Sequence, residues 1–462
     1  MKNMYFAALA AIAIGTVGGC TSPSAVTEDG ARTVVLQNFT MFDGTGAGPV
    51  ENQSLIMVGD RIEWVGPSAD VQVPAGAVVH DLTGQFVMPG IIDNHVHLGL
   101  DEGPDNYSVE TIEKQLKLYA AYGVTTVQSL GTDADAAFEV RKAGDAPQDG
   151  MARVHTSGLG VVLDGGFGGM PNLPQRVKNA DEARELVDAQ KAKGADLIKF
   201  WVDDSFGDIS ELMPLSMSSA VISQAHTAGL KAVAHIFYRD SALELANNGV
   251  DGFGHEVRDK PVGADFIDAM KRNGTWQMAA TLSREAAFVY ADLPFLDDPF
   301  FSRGVTPKVL TNLNSAEFQN AAKADPHFSA YPGVFRTAME NFASKAKAGV
   351  RYGMGTDSGL GKRFPGYFAH WELELMVQAG LTPLQALTAA TGSNAEFLGA
   401  SDIGVIGTGK KADLLVLAKN PLEDIRNTRT ISQVFVAGQS VPTIWQTCTG
   451  RPADACGSAD QK

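Results

Sequence analysis

Cysteine is scarce in this chain, with 3 among 462 residues, at positions 20, 448 and 456. No disulfide framework can therefore run through the body of the protein, and no cysteine-rich metal site can form there. Positive charge is also short: 37 lysines and arginines face 53 aspartates and glutamates, a formal net charge of −16. That leaves no basic stripe to neutralise phosphates, which excludes nucleic acid as a partner. Low-complexity tracts, collagen-like repeats and sustained heptads are missing as well. What is present is a globular composition, 44% hydrophobic with 49 glycines. The length suits two or three ordinary domains, or one large barrel with a small domain attached.

The first twenty residues, MKNMYFAALAAIAIGTVGGC, place a lysine before an apolar run from Met4 to Val17 and small residues before Cys20. The run is shorter than the roughly 20 residues a membrane span needs and has the layout of a signal peptide over residues 1–19. VGGC resembles the lipobox of bacterial lipoproteins, which implies a lipid on Cys20 and a tethering linker over 20–32. The expected location is the periplasm or cell envelope, with membrane contact only through that anchor. An ordinary signal peptide cut nearby, with Cys20 incidental, is the alternative. Cys448 and Cys456, in CTGRPADAC, are expected to close a small disulfide loop in a C-terminal tail, residues 441–462.

Residues 33–87 carry short β-rich segments (TVVLQNF, SLIMVGDRIEWVG, AVVHDLTGQFVM), and Gly59–Asp60 reads as a hairpin turn. The same texture returns within 401–440, in KADLLVLAKNPLEDI and ISQVFVAGQ. Both ends of the chain are thus expected to build one small β-sandwich domain. Between them, residues 88–400 alternate short apolar strands with amphipathic helices. The strand candidates are FVMPGIIDNHVHL, VTTVQSL, RVHTSG, ADLIKFWV, KAVAHIF, DGFGHE, TWQMAATL and RYGMGTD. Such alternation predicts an α/β fold, a (β/α)8 TIM barrel whose active site lies at the C-terminal strand ends.

Strand ends therefore select among the nine histidines. His95 and His97 end the first barrel strand, and their i, i+2 spacing puts both on one face. Alone, two such histidines could equally be core residues satisfied by hydrogen bonds. Lys199 sits inside a β-branched, aromatic strand where a bare ammonium is expensive, unless it pairs with Asp203 or Asp204. His235, His255 and Asp357 end three further strands. Each of these groups costs burial energy unless it is paired, so together they mark a site.

These residues lie in motifs that resemble those of the amidohydrolase superfamily, in its imidazolonepropionase-like and prolidase-like branch. VMPGIIDNHVHL, GVTTVQSLG, GADLIKF, VAHIF, GFGHE and GMGTDSG occur in the family's order, followed by its C-terminal helix and IGTGKKADLLVLAKNPLEDI. The resemblance implies that His95 and His97 hold one divalent metal and that His235 and His255 hold a second. Lys199, as a carbamate, would bridge them, and Asp357 would bind the first metal and shuttle protons. The implied cofactors are two Zn2+ ions, or manganese, cobalt or iron in their place. Implied chemistry is hydrolysis of an amide-type C–N bond by a metal-activated water, with dipeptides or N-acyl amino acids as favoured substrates. Cyclic amides and lactones come next. A mononuclear deaminase is opposed by Lys199 and by the sequence HIFYRD, and a non-catalytic binding lipoprotein by the full ligand set. A homo-oligomer and a monomer are both compatible with the chain.

Where many relatives carry a tyrosine two residues after the fifth-strand histidine, this chain has Phe237, with Tyr238 next. Glu256 replaces a glycine. Candidate substrate contacts are Tyr238, His155 at the third strand end, and Arg258, whose guanidinium could take a carboxylate. For Arg258 the competing expectation is a solvated surface residue paired with Glu256 or Asp259. Residues 163–172 (LDGGFGGMPN) could cover the site, and 288–301 (FVYADLPFLDDPFF) is either an apolar lid or packing for a helical insertion. His80, His226, His327 and His370 are expected to be structural. Asp93 is expected to support the histidine strand and not to ligate.

Overall fold

A computed structural model of the protein describes residues 32–100, 104–143, 150–168 and 175–441. Cys20, the signal-peptide segment and the Cys448–Cys456 bridge lie outside the described residues. The N-terminal part supplies β1 (Thr33–Met41), β2 (Val50–Val58), β3 (Arg61–Pro67), β4 (Val78–Asp81) and β5 (Phe86–Pro89). The middle supplies β6 (Ile91–Val96), β7 (Val124–Ser129), β8 (Arg153–Thr156), β9 (Val161–Leu163) and β10 (Gln175–Val177). It continues with β11 (Leu197–Val202), β12 (Lys231–Ile236), β13 (Gly252–Phe253) and β14 (Trp276–Gln277), and the C-terminal part adds β15 (Leu414–Leu417), β16 (Ile431–Val436) and β17 (Gln439–Ser440).

Strands from both chain ends join in one hydrogen-bonded sheet. Its order is β17-β16-β15-β5-β1-β2-β3, with β4 also on β1. The reason is β5, which pairs parallel with β1 and antiparallel with β15, so no edge separates the two halves. The β2–β3 hairpin turns at Gly59–Asp60 as expected, with Gly59 at a φ of 59°. Strand alternation gives the sheet two apolar faces. Leu414 and Val416 pack with Val34, Leu36, Leu55 and Phe435, while Leu415 and Leu417 pack with Phe86 and Met88 in the main core.

The middle is mixed α/β. β6, β7 and β8 form one parallel sheet, and β9 to β14 form another, in the order β10-β9-β11-β12-β13-β14. The Asp196 N–H donates to the Thr156 carbonyl at 2.8 Å across the seam between them. The eighth expected strand, RYGMGTD, forms only isolated bridges, Gln277 with Tyr352 and Val96 with Ser358. The Asn394 side chain bonds to this stretch. Its Nδ2 donates to the carbonyls of Ile92 and Met354, each at 2.7 Å, and its Oδ1 accepts the Met354 N–H at 3.0 Å. That side chain adds to the backbone bonds the stretch makes on either side, Gln277 N–H to the Arg351 carbonyl at 2.9 Å and Asn94 N–H to the Met354 carbonyl at 3.1 Å.

Helices cover the outside. Ala180–Lys193 is typical: Asn179 caps its start by accepting the Asp181 and Glu182 N–H groups, and Gly194 ends it at a φ of 98°. Between β14 and the eighth segment an insertion carries Leu282–Val289, Pro299–Ser302, Pro307–Leu313, Ala316–Lys323 and Tyr331–Lys347. No helix among the described residues is long and apolar enough to cross a membrane.

Candidate metal centre

In β11 the alternation of side chains is strict. Ile198, Phe200 and Val202 pack outward against helices, while Lys199 and Trp201 line a central cavity. β12 does the same, with Ala232, Ala234 and Ile236 outward and His235 in the cavity. His95, His97, Lys199, His235, His255 and Asp357 are all buried, and all six line this one cavity of about 530 Å³. Gly131 makes room for them: a Cβ there would lie 2.2 Å from Trp201 and 2.9 Å from Lys199 Cγ.

Ligand atoms of His95, His97 and Asp357 lie within 4.8 Å of one another, a cluster able to hold a metal ion. His97 Nε2 is 2.7 Å from Asp357 Oδ1, and His95 Nε2 is 3.4 Å from it. The His255 ring follows at 4.8 Å from His95, centroid to centroid, and His235 at 4.0 Å from His255. Neighbours set the tautomers. His95 Nδ1 is 2.8 Å from the Gly254 carbonyl, which can only accept, so Nδ1 carries the proton and Nε2 keeps its lone pair. Threonine hydroxyls at 2.9 Å (Thr132) and 3.0 Å (Thr281) allow the same arrangement for His97 and His255. For His235 the roles reverse: Nε2 is 2.7 Å from Asp203 Oδ2, which leaves Nδ1 with the lone pair.

Lys199 Nζ is buried and has no hydrogen-bond partner among the described residues. The expected alternative, pairing with Asp203 or Asp204, does not occur, because those carboxylates are taken by His235 and by the Tyr238 hydroxyl. Burial pushes the amine down to about 7, against the attraction of Asp357. An unpartnered buried amine that is easily neutral is suited to carbamylation, and a carbamate is a ligand for a cation where an ammonium is not. The four histidines are also held low, with burial the largest cause for each. For Asp357, burial works upward, but Arg363, His95 and His97 outweigh it and hold the carboxyl well below the usual range. Neutral imidazoles and an anionic carboxylate are the protonation states that metal binding requires.

Asp357 also sits at a φ of 57°, uncommon for a residue with a side chain. Asp93 helps to hold that turn. It is fully buried and accepts from the Thr356 hydroxyl at 2.7 Å and the Thr356 N–H at 3.0 Å, and it also accepts the His95 N–H at 3.2 Å, the support of the histidine strand expected of it.

The candidate substrate contacts divide. Arg258 reaches the cavity and is 3% exposed, so the surface alternative is wrong. Its Nη1 is 3.1 Å from Glu285 Oε1, and its Nη2 is 3.7 Å from Asp203 Oδ2. Tyr238 does not line the cavity: its hydroxyl donates to Asp204 at 2.6 Å, and Phe237 takes the inward position. His155 does not line it either, since residue alternation in β8 turns it toward Asp196, 3.5 Å away. His370 is structural as expected, between Thr428 and the Tyr122 carbonyl. His327, expected to be merely structural, lines the cavity wall. Of 288–301, Phe288 lines the cavity while Phe295, Phe300 and Phe301 are buried packing, so both expectations hold in part. Residues 163–172 lie partly outside the described residues.

Several wall residues escaped the sequence. Arg284 Nε is 2.8 Å from Asp357 Oδ2, Arg284 Nη1 is 2.5 Å from Glu285 Oε1, and Arg363 pairs with Asp357. Asp203 was legible: Lys199, Trp201 and Asp203 alternate toward the cavity at i, i+2, i+4. The two arginines had no local signal.

The model of the amidohydrolase family matches residues 86–441. The chain belongs to the amidohydrolase family. This amidohydrolase is 26% identical to the imidazolonepropionase of Cutibacterium acnes over 373 residues, covering 80% of this chain and 85% of that protein. It is 23% identical to the ochratoxinase of Aspergillus niger over 462 residues, covering 90% and 86%. Among solved structures, a prolidase-like protein from Bifidobacterium longum matches with a TM-score of 0.72 at 26% identity, over 88% of this chain and 94% of that one. The amidohydrolase is therefore an enzyme, a hydrolase acting on carbon–nitrogen bonds in a metal-dependent family. Its fold neighbours imply a barrel plus a small domain, to which the two parallel sheets and the eight-stranded sheet correspond.

Proposed function

We propose that the protein is an exported, binuclear amidohydrolase that cleaves the amide bond of dipeptides or N-acyl amino acids. The observation that carries the binuclear reading is the buried, unpartnered Lys199 Nζ in a cavity shared with His95, His97, His235, His255 and Asp357. His95, His97 and Asp357 would hold one divalent ion, His235 and His255 the other, and a carbamate on Lys199 would bridge them. Ions held there supply Lewis-acid chemistry, acidifying a water and polarising the scissile carbonyl. The two parallel sheets are taken as one (β/α)8 barrel, and the leader ending in VGGC supports export with a lipid on Cys20.

Asp357 is the proton carrier. As an anion fixed by Arg284 and Arg363, it takes a proton from the attacking water and returns it to the leaving nitrogen. Arg258 lines the same cavity, and its Nε has no hydrogen-bond partner among the described residues. It would bind the substrate carboxylate, which favours dipeptides and N-acyl amino acids over uncharged amides. Metal analysis combined with hydrolysis of a dipeptide and N-acyl amino-acid library tests the proposal. Two ions per chain and metal-restored turnover are expected. Less than one ion per chain, with bicarbonate and zinc supplied, would overturn it.

A further inference from the structure

One wall of the cavity is aromatic, and none of it is used by the chemistry above. Phe206, Phe288, His327 and Tyr331 all line it, and each is only half-buried. They come from two distant segments, the loop after β11 and the insertion before the eighth segment. Phe206 stacks on His327 with centroids 4.7 Å apart and planes at 17°. It also meets Tyr331 at 5.8 Å, and Tyr331 meets Phe288 at 5.4 Å.

Polar links hold this wall in place. His327 Nε2 is 2.9 Å from Asp208 Oδ2, while Asp325 accepts the His327 N–H at 2.8 Å and the Tyr331 hydroxyl at 2.9 Å. The loop carrying Phe206 is itself constrained. Ser205 and Phe206 stand at φ values of 56° and 64°, a region that residues with side chains rarely enter. Asp203 Oδ1 accepts the Ser205 N–H at 2.9 Å, and Asp204 Oδ1 accepts the Gly207 N–H at 2.9 Å. A backbone held in that region turns the Phe206 ring into the cavity mouth. Other half-buried rings, such as Phe318 and Phe335, pack against the core away from the cavity, whereas these four line it. These present apolar surface to a cavity whose other walls are the histidines, Arg258, Arg284 and Arg363.

We propose that Phe206, His327, Tyr331 and Phe288 form a specificity wall for a flat, apolar side group, so that the preferred substrates are dipeptides or N-acyl amino acids bearing an aromatic residue. This rests on the amide-hydrolase reading above and narrows it. An aromatic group stacks offset or edge-on against such rings, whereas a methyl group leaves most of the slot to water.

The test uses the metal-loaded full chain and two matched dipeptide series. Each varies Ala, Leu and Phe, on the acyl side in one and on the amine side in the other. In one series kcat/KM for Phe should exceed that for Ala by about 10–200-fold, the range over which apolar pockets discriminate. In Phe206→Ala that ratio should fall to within about threefold, and Phe206→Tyr should keep most of it. A wild-type ratio near one in both series, or a ratio unchanged in Phe206→Ala, overturns the wall. If Phe206→Ala does not fold, Phe288→Ala is read by the same ratio. Turnover of neither series sinks the amide-hydrolase reading instead. The wall is then decided by equilibrium binding of N-acetylphenylalanine against N-acetylalanine, and equal affinities overturn it.

Discussion

The Asp203 carboxylate joins two parts of the cavity: its Oδ2 lies 2.7 Å from His235 Nε2, and its Oδ1 accepts the Ser205 N–H at 2.9 Å. One side chain thus orients a metal-ligand candidate and anchors the loop that carries Phe206. Burial would raise this carboxyl, but the His235 hydrogen bond and the Arg258 charge outweigh it and bring it to about 2. Asp203→Asn should therefore weaken metal binding about 10–100-fold, as loss of a carboxylate behind a ligand histidine does elsewhere. Competition with a chelator at fixed pH measures this, and an unchanged affinity would show that Asp203 does not orient a ligand.

Lys199→Ala removes the amine that has no hydrogen-bond partner among the described residues. Metal content should fall from two ions to one or fewer, and kcat/KM by at least about 10³-fold, because both Lewis-acid roles depend on the pair. Short carboxylic acids should restore part of the activity by occupying the vacated position. Metal analysis alongside turnover separates this outcome from misfolding.

Asp357→Asn keeps the side-chain shape but removes the anion. We expect kcat to fall about 10²–10⁴-fold, the range for loss of a positioned proton carrier. Steady-state kinetics with the metal content measured in parallel provide the check. A variant with wild-type kcat would exclude Asp357 as the proton carrier.

Tyr238→Phe and His155→Gln bear on residues that end near the site in sequence but do not line the cavity. Both should retain kcat/KM to within about twofold, since surface-side hydrogen bonds such as these contribute little. A loss of tenfold or more in either would place that residue in substrate binding after all.

His370 is buried, 2.9 Å from the Thr428 hydroxyl and 2.8 Å from the Tyr122 carbonyl, and burial pushes its pKa down to about 3. The unfolded chain takes up this proton near its ordinary value of about 6.5, so it binds more protons than the folded state below that pH. The His370 contribution is therefore present above pH 6.5 and is lost as pH falls toward 3. Relative to His370→Gln, wild-type stability should be constant at pH 7–8 and decline by about 1.4 kcal/mol per pH unit below 6.5. Denaturant midpoints of both proteins at pH 7.5 and 5 measure the difference. An unchanged difference would mean that His370 is protonated in the fold.

That His95, His97, Lys199, His235, His255 and Asp357 share one cavity was legible because each breaks a local rule. His95, Lys199 and His235 are polar residues on the inward face of apolar strands, and alternation shows both the face and the cost of burying them. Phe237 and Tyr238 were harder. They follow the strand directly, and a shift of one residue decides which side chain enters the cavity. His155 failed for the same reason, one position out of phase with the inward face of β8. The pairing of β5 with both β1 and β15 cannot be read from segment texture.

By itself, the sequence determined the candidate chemistry: which groups can ligate and where along the chain they end a strand. Those are local properties, set by side-chain period and burial cost. Only the tertiary structure decided what surrounds that chemistry. Arg284, His327 and Tyr331 belong to an insertion with ordinary helical sequence, and Arg363 to a loop after the eighth segment. Nothing local marks them, because their place at the cavity comes from long-range packing of the insertion over the strand ends.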